Sequence, residues 1–272
     1  MAAADISFVT PTICGLFAVE LPALAADRPI DRVMEVAGKA VSGPIERGLL
    51  YTPDAVGTVV YVENKALFEP VLRLASTEVP LLSVVPPKTP VCYASMFSGA
   101  SPESHGIRSY VKKVLTCETL FDVMMRAGKK VAIAAVAGSS MDVLFRGRDI
   151  DYFSEPYDDE VTKRAVELVE ADKHDLIIAY HQEYDDTLHE GDLRSPEALA
   201  AVRRHIGSFC HMVDACDSAW REYTRLIVFA PDHGAHLDPS TGKGTHGDSI
   251  PEDMEVTHFF RFSQAPRGRR LV

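Results

Sequence analysis

Six short apolar runs, separated by stretches with helical periodicity, set the fold class of this chain. They are Thr58–Val62 (TVVYV), Leu81–Val85 (LLSVV), Val131–Val136 (VAIAAV), Asp175–Tyr180 (DLIIAY), Leu226–Ala230 (LIVFA) and Val256–Phe262. Each is apolar without strict alternation, the pattern of a strand buried on both faces. Between them lie amphipathic segments. Glu118–Ala127 ends at Gly128, a candidate C-terminal cap. Asp159–Asp172 sets Val161, Ala165, Leu168 and Val169 on one face. Ser195-Pro196-Glu197 opens a long helix whose apolar stripe is Ala198, Val202, Ile206, Phe209, Val213, Cys216 and Trp220. This alternation predicts an α/β fold: a mostly parallel central sheet with helices on both faces.

The 272 residues fit one large domain or two small ones. No internal repeat, low-complexity tract or linker divides them, so a single α/β domain is expected. Residues 1–55 mix apolar, Pro, Gly and charged positions with no clean period, and are read as an N-terminal elaboration of a core spanning 56–272.

Charge and cysteine usage exclude several classes. The net charge is −11, from 28 basic and 39 acidic side chains, which argues against a nucleic-acid backbone as partner. The same charge would repel an anionic substrate unless cations intervene. Five cysteines, none in a CxxC pair, indicate neither a disulfide framework nor a thiolate zinc site. The apolar run Ile13–Ala26 is interrupted by Glu20 and has no basic residue ahead of it, unlike a secretory signal. No stretch reaches the roughly 18 uninterrupted apolar residues of a membrane span. A cytoplasmic protein without membrane attachment is expected.

In open α/β sheets, ligands bind beyond the carboxyl ends of the strands. The polar residues that follow the predicted strands are Glu63-Asn64, Lys88-Thr89, the segment His181 to His189, and Asp232-His233-Gly234, with His246 a short loop later. Gathered on one edge, they offer a hydroxyl, several carboxylates and at least three imidazoles. Such a mixed oxygen and nitrogen set suits Zn²⁺ or Mn²⁺ and is too nitrogen-rich for a Ca²⁺ cage. Two such ions about 4 Å apart would also answer the charge puzzle, since they offset the acidic ligands locally.

The order of these pieces resembles the alkaline phosphatase superfamily, which includes nucleotide pyrophosphatases/phosphodiesterases, phosphonoacetate hydrolases, sulfatases and metal-dependent phosphomutases. The resemblance is carried by Lys88-Thr89-Pro90 through Gly99, then Pro102-x-x-His105-Gly106-Ile107, Asp185-x-x-x-His189, Pro231-Asp232-His233-Gly234 and His246. In that family a nucleophile stands ten residues before the glycine, here Thr89. The resemblance implies a metal-dependent hydrolase core with two divalent cations, zinc first and manganese second. One cation would take Asp185, His189 and His246. The other would take Asp232, His233, the Thr89 alkoxide and an aspartate after the first strand. With Thr58–Val62 as that strand, the aspartate is replaced by Glu63-Asn64: either Glu63 reaches the metal, a carboxylate holding divalent metals more strongly than an amide, or Asn64 supplies a neutral oxygen, or neither binds and the second site is weak or empty.

Further departures bear on activity. Cys92 stands where the phosphodiesterase branch often carries an Asn that holds a phosphoryl oxygen; Cys92 itself, Lys243 or a backbone N–H is left to make that contact. Lys88 and Lys243 could steer an anion, while His236 and Asp238 are candidates for orienting ligands. His246 follows His233 by only thirteen residues, a spacing closer to the phosphomutases, yet nothing between Thr89 and Asp185 has the size of a mutase cap domain. The expected function is hydrolysis of a small phosphate mono- or diester, or a phosphonate, through Thr89. The alternatives are a binding homologue with an incomplete second metal site and a phosphotransferase or mutase.

Overall fold

The computed structural model describes residues 4–266. The chain begins with helices α1 (Val9–Phe17) and α2 (Asp31–Ala40), followed by β1 (Arg47–Pro53), α3 (Thr58–Glu63), α4 (Lys65–Leu74) and β2 (Thr77–Leu82). Then come α5 (Thr89–Ser98), α6 (Pro102–His105), α7 (Leu120–Arg126), β3 (Val131–Val136), α8 (Ser140–Leu144), β4 (Asp151–Glu155), α9 (Asp158–Ala171) and β5 (Leu176–His181). The last third holds α10 (Glu183–Glu190), α11 (Pro196–Ala219), β6 (Arg225–Phe229), the short hairpin β7 (His236–Asp238) and β8 (Lys243–Thr245), α12 (Pro251–Met254) and β9 (Glu255–Ser263).

Seven strands form one sheet in the order β2-β9-β6-β1-β5-β3-β4. β1 pairs in parallel with β5 and β6, and β5 with β3, while β9 runs antiparallel between β2 and β6. The mostly parallel sheet is therefore as expected. Side chains split by the two-residue strand period. Leu50, Ile133, Ile178 and Val228 face the layer of α1, α2, α5, α7 and α8. Leu49, Tyr51, Ile177 and Phe229 face the layer of α4, α9 and α11. The apolar run Ile13–Phe17 lies in α1, buried in the first layer except at Gly15. Among the described residues, no helix is long and apolar enough to cross a membrane.

One element differs from expectation in a way that moves the site. Thr58–Val62 is not a strand: it lies in α3. A five-residue apolar run does not by itself distinguish strand from helix, and burial here is one-sided. Tyr61 and Val60 pack inward, with Tyr61 edge-on to Phe68 and Phe259, while Val62 is 53% exposed. The first strand is instead β1, at the centre of the sheet, so residues 47–53 belong to the core and not to an elaboration. β1 carries few signals of a buried strand because it starts at Arg47 and ends at Pro53. Arg47 is held by Asp172 and Asp175 at 2.7 and 2.9 Å. β2 also sits four residues earlier than Leu81–Val85, leaving Ser83 to Lys88 as the loop that delivers Thr89.

Candidate metal centre

The carboxyl ends of β1, β5 and β6 lie side by side, and each delivers acidic or imidazole side chains to one place. After β1, Pro53 ends the strand and Asp54 follows. Ala55 then takes a left-handed backbone, with φ of 60°, a conformation that usually calls for glycine. This turn aims the Ala55 N–H at Asp232 Oδ1, 3.3 Å away. After β6, Pro231 leads into Asp232 and His233, both fully buried. Thr89 is the first residue of α5, so the positive end of that helix dipole faces the same point.

These four residues form the first group. Thr89 Oγ1 lies 3.5 Å from Asp54 Oδ1 and 3.3 Å from His233 Nε2. His233 Nε2 in turn lies 3.3 Å from Asp54 Oδ1 and 3.5 Å from Asp232 Oδ2. The Tyr180 hydroxyl donates to the other Asp54 oxygen at 2.5 Å. Burial, with the charge of Asp185 adding to it, pushes the Asp54 carboxyl up to about 8. Burial and the charge of Asp54 push Asp232 well above the usual carboxylate range. Burial also holds the His233 imidazole neutral, down to about 3. Two carboxylates enclosed this way repel each other unless a cation or a proton lies between them.

The second group is built on α10 and the loop after β8. Asp185 and His189 are one turn apart and share a helix face. The Nε2 atoms of His189 and His246 each lie 3.3 Å from Asp185 Oδ1. Burial works against the Asp185 charge, yet the two imidazoles hold its carboxyl below the ordinary range. Asp185 in turn raises His189, and raises His246 against its burial. The His233 and His246 rings stack with centroids 4.1 Å apart, so the two groups share a wall.

All three histidines are oriented alike. Their Nδ1 atoms meet backbone carbonyls: His189 at Gly244 (3.1 Å), His246 at Pro87 (3.1 Å) and His233 at Gly234 (3.0 Å). A proton committed to Nδ1 leaves each Nε2 lone pair facing inward, the arrangement that outer hydrogen bonds impose on metal-binding histidines. Two buried carboxylate oxygens, Asp185 Oδ1 and Asp232 Oδ2, have no hydrogen-bond partner. Orphaned anionic oxygens are costly in a protein interior. One in each group, beside inward-facing imidazole lone pairs, is the arrangement a divalent cation satisfies. The residues present fit two such ions.

The structure thus brings Thr89, Asp185, His189, Asp232, His233 and His246 together, and leaves three expected residues elsewhere. Glu63 is the main correction. It closes α3 at the surface, where both its oxygens take 2.8 Å hydrogen bonds from Arg194; the expectation followed from the misassigned strand. Asp54 occupies the position after the true first strand. Its signal was the β-favouring run Leu49–Thr52 ended by Pro-Asp, obscured because Ala55 takes the left-handed turn conformation without a glycine to mark it. Cys92 is fully buried beside Ser83, with its Sγ 3.1 Å from Ser83 Oγ, and burial raises its thiol well above the usual value. Lys243 is half exposed, 3.5 Å from Glu190. His236 contacts the segment that carries His246: its Nδ1 lies 2.8 Å from Asp253 Oδ1, while the other Asp253 oxygen accepts from the N–H groups of Gly247 and Asp248 beside His246. Asp238 only orders its own turn, through Ser240 and Thr241.

Known structures share this architecture at low identity. Phosphonoacetate hydrolase from Sinorhizobium meliloti 1021, in complex with phosphonoformate, matches with a TM-score of 0.55 and 15% identity over 73% of this chain and 59% of that one. Human ectonucleotide pyrophosphatase/phosphodiesterase 5 matches with a TM-score of 0.56 and 17% identity over 72% and 59%. An inactive threonine-to-alanine variant of the murine protein, in complex with AMP, matches with 0.56 and 16% over 72% and 59%. The chain therefore spans about three-fifths of the length of these structures. No curated protein sequence matches it. The model of the type I phosphodiesterase/nucleotide pyrophosphatase family matches residues 66–257. With that match covering most of the chain, the chain belongs to the type I phosphodiesterase/nucleotide pyrophosphatase family.

Proposed function

We propose that the protein hydrolyses a small phosphate mono- or diester, or a phosphonate, with Thr89 as nucleophile and two divalent cations as cofactors, zinc in preference to manganese. The observation that carries this reading is the convergence of Asp54 and His233 within 3.5 Å of the Thr89 hydroxyl. The Asp185–His189–His246 group adjoins them through the stacked His233 and His246 rings. The murine relative whose Thr-to-Ala variant is inactive supports the same role for a threonine.

Divalent cations bound to the two groups would lower the hydroxyl pKa and stabilise charge on the phosphoryl oxygens and leaving group. The residues do the rest. Thr89 donates its hydroxyl proton toward Asp54 Oδ1, which frees an Oγ1 lone pair for attack. Oγ1 attacks phosphorus in line as the P–O bond to the leaving group breaks and that oxygen takes a proton from solvent; water then attacks phosphorus, the Oγ1–P bond breaks, and the proton held by Asp54 returns to Oγ1. Tyr180, donating to Asp54, keeps that carboxylate's second oxygen turned away from the nucleophile.

The alternative of a binding-only homologue rested on an absent aspartate, and Asp54 at that position favours hydrolysis. A mutase must shield its phosphorylated intermediate from water. Among the described residues, the elements between β2 and β5 are α5 to α9 and the sheet strands β3 and β4, with no inserted domain, which favours water as the acceptor. A cytoplasmic setting is proposed from the five free cysteines, three of them buried.

The test is hydrolysis of aryl phosphate mono- and diesters by zinc- or manganese-loaded protein. Thr89→Ala is expected to lower turnover at least on the order of 10³-fold while metal uptake stays near that of wild type. Equal rates for wild type and variant with every substrate and metal would refute the reading.

A further inference from the structure

Behind α10 lies a third cluster of the same residue types. Asp158, His181 and His205 bring a carboxylate oxygen and two imidazole nitrogens together, and all three residues are buried. Composition alone would make this another cation site. The hydrogen bonds show otherwise, because the protons in it can be placed one by one.

The backbone N–H of Tyr184 lies 3.1 Å from His205 Nε2 and can only donate. His205 Nε2 is therefore unprotonated, and its proton sits on Nδ1. Thr162 donates its hydroxyl proton to the Asp158 carbonyl at 3.0 Å, so its oxygen accepts from His181 Nε2 at 3.1 Å. His181 Nδ1 then carries the lone pair. Tyr51 bridges the two rings with 3.0 Å contacts to both Nδ1 atoms. It accepts from His205 and donates to His181. Every proton and lone pair of both imidazoles is used, so neither ring has one left for a metal. The Asp158 carboxylate is likewise engaged: Oδ1 accepts from the Gln182 N–H and Oδ2 from the Glu183 N–H, each at 3.0 Å.

What this network grips is the start of α10. The first N–H groups of a helix have no partner within it, and Gln182 makes no side-chain cap there. The three consecutive N–H groups of residues 182–184 are taken by Asp158 from α9 and His205 from α11. The helix so held carries Asp185 and His189 within its next turn and a half. We propose that Asp158 and His205, with His205 fixed through Tyr51, His181 and Thr162, are positioning residues that set the register of α10 and so shape the Asp185–His189–His246 cation site. The inference rests on the metal reading above. Outer partners of metal ligands typically govern affinity by about 10- to 100-fold.

The test is Co²⁺ titration of the metal-free full chain, followed by visible absorbance, with amide hydrogen exchange at 182–184 on the same metal-free samples. His205→Leu removes the acceptor facing Tyr184, whereas the longer amide of His205→Gln returns an oxygen toward it. His205→Leu is expected to weaken one Co²⁺ equivalent about 10- to 100-fold, leave the other near wild type, and lose Tyr184 amide protection. His205→Gln is expected to recover most of both. Asp158→Asn, which keeps one acceptor, serves as a second variant should His205→Leu not fold, with a smaller change in the same direction. Two wild-type equivalents, with folded variants that bind both as wild type does or weaken both equally, would overturn the positioning role alone. A wild type that binds no Co²⁺ would overturn the metal reading and this inference with it.

Discussion

Asp54 and Glu63 are acidic residues nine positions apart, and their surroundings give them opposite work. Asp54 is 2% exposed, next to Asp232, His233 and Thr89; Glu63 is half in solvent and neutralised by Arg194. Asp54→Asn is expected to remove one cation equivalent and most of the activity. Glu63→Ala should leave metal stoichiometry and turnover near wild type and cost no more than about 1 kcal/mol, the range of an exposed ion pair. Metal analysis and thermal melts of the two variants check this; loss of a cation in Glu63→Ala would sink it. The other six residues gathered in the candidate site were legible in the sequence because each sits in a local motif with fixed spacing, such as Asp185-x-x-x-His189. Asp54 was not, because its motif is completed by a backbone conformation that Ala55 adopts without the glycine that advertises it.

Elements were legible where burial acts on both faces or on one clean stripe. Val131–Val136 is a strand with no exposed position, and Ser195 caps α11 as its hydroxyl and Pro196 suggest. Short apolar runs were ambiguous because tertiary packing decides them, as α3 shows. The site's position depends on one such packing event. The turn after β6 presses Gly234 against two other segments: a Cβ there would stand 2.1 Å from the Glu252 carbonyl oxygen, and one on Gly57 would stand 2.5 Å from the Gly234 Cα. Neither backbone can yield as a flexible side chain would. Gly234→Ala is therefore expected to cost about 1–3 kcal/mol or more and to displace His233, lowering metal affinity as well as melting temperature. An alanine variant with wild-type melting and metal uptake would show that this approach is looser than the structure has it. No spacing rule in the sequence announces such a contact between positions 57, 234 and 252.

At the scale of the whole molecule, the charge of −11 describes the chain without its cations. Part of that acidity is concentrated in Asp54, Asp185 and Asp232, and two dications would offset it where a phosphate ester must approach. The same concentration makes stability depend on pH in a predictable direction. In metal-free protein the Asp54 carboxyl is raised to about 8, and Asp232 is raised too, above the ordinary unfolded value near 3.9. Folding then favours the protonated carboxyls, a contribution complete below the unfolded value and lost, for Asp54, as pH rises through about 8, with Asp232 shifted in the same direction. The buried histidines act at the other end. His105 and His258 are lowered to about 4 and His205 to about 3, all by burial. Their contribution is present above the unfolded value near 6.5 and is lost as pH falls through 4. Protein stripped of metal and dialysed should therefore melt highest near pH 6–7 and lose stability toward pH 9, whereas metal-loaded protein, with its carboxylates neutralised by cations, should stay level across pH 7–9. Melting temperatures of both forms from pH 5 to 9 decide it. A gap between the forms that does not widen above pH 7 would mean that the clustered carboxylates are not what the cations relieve.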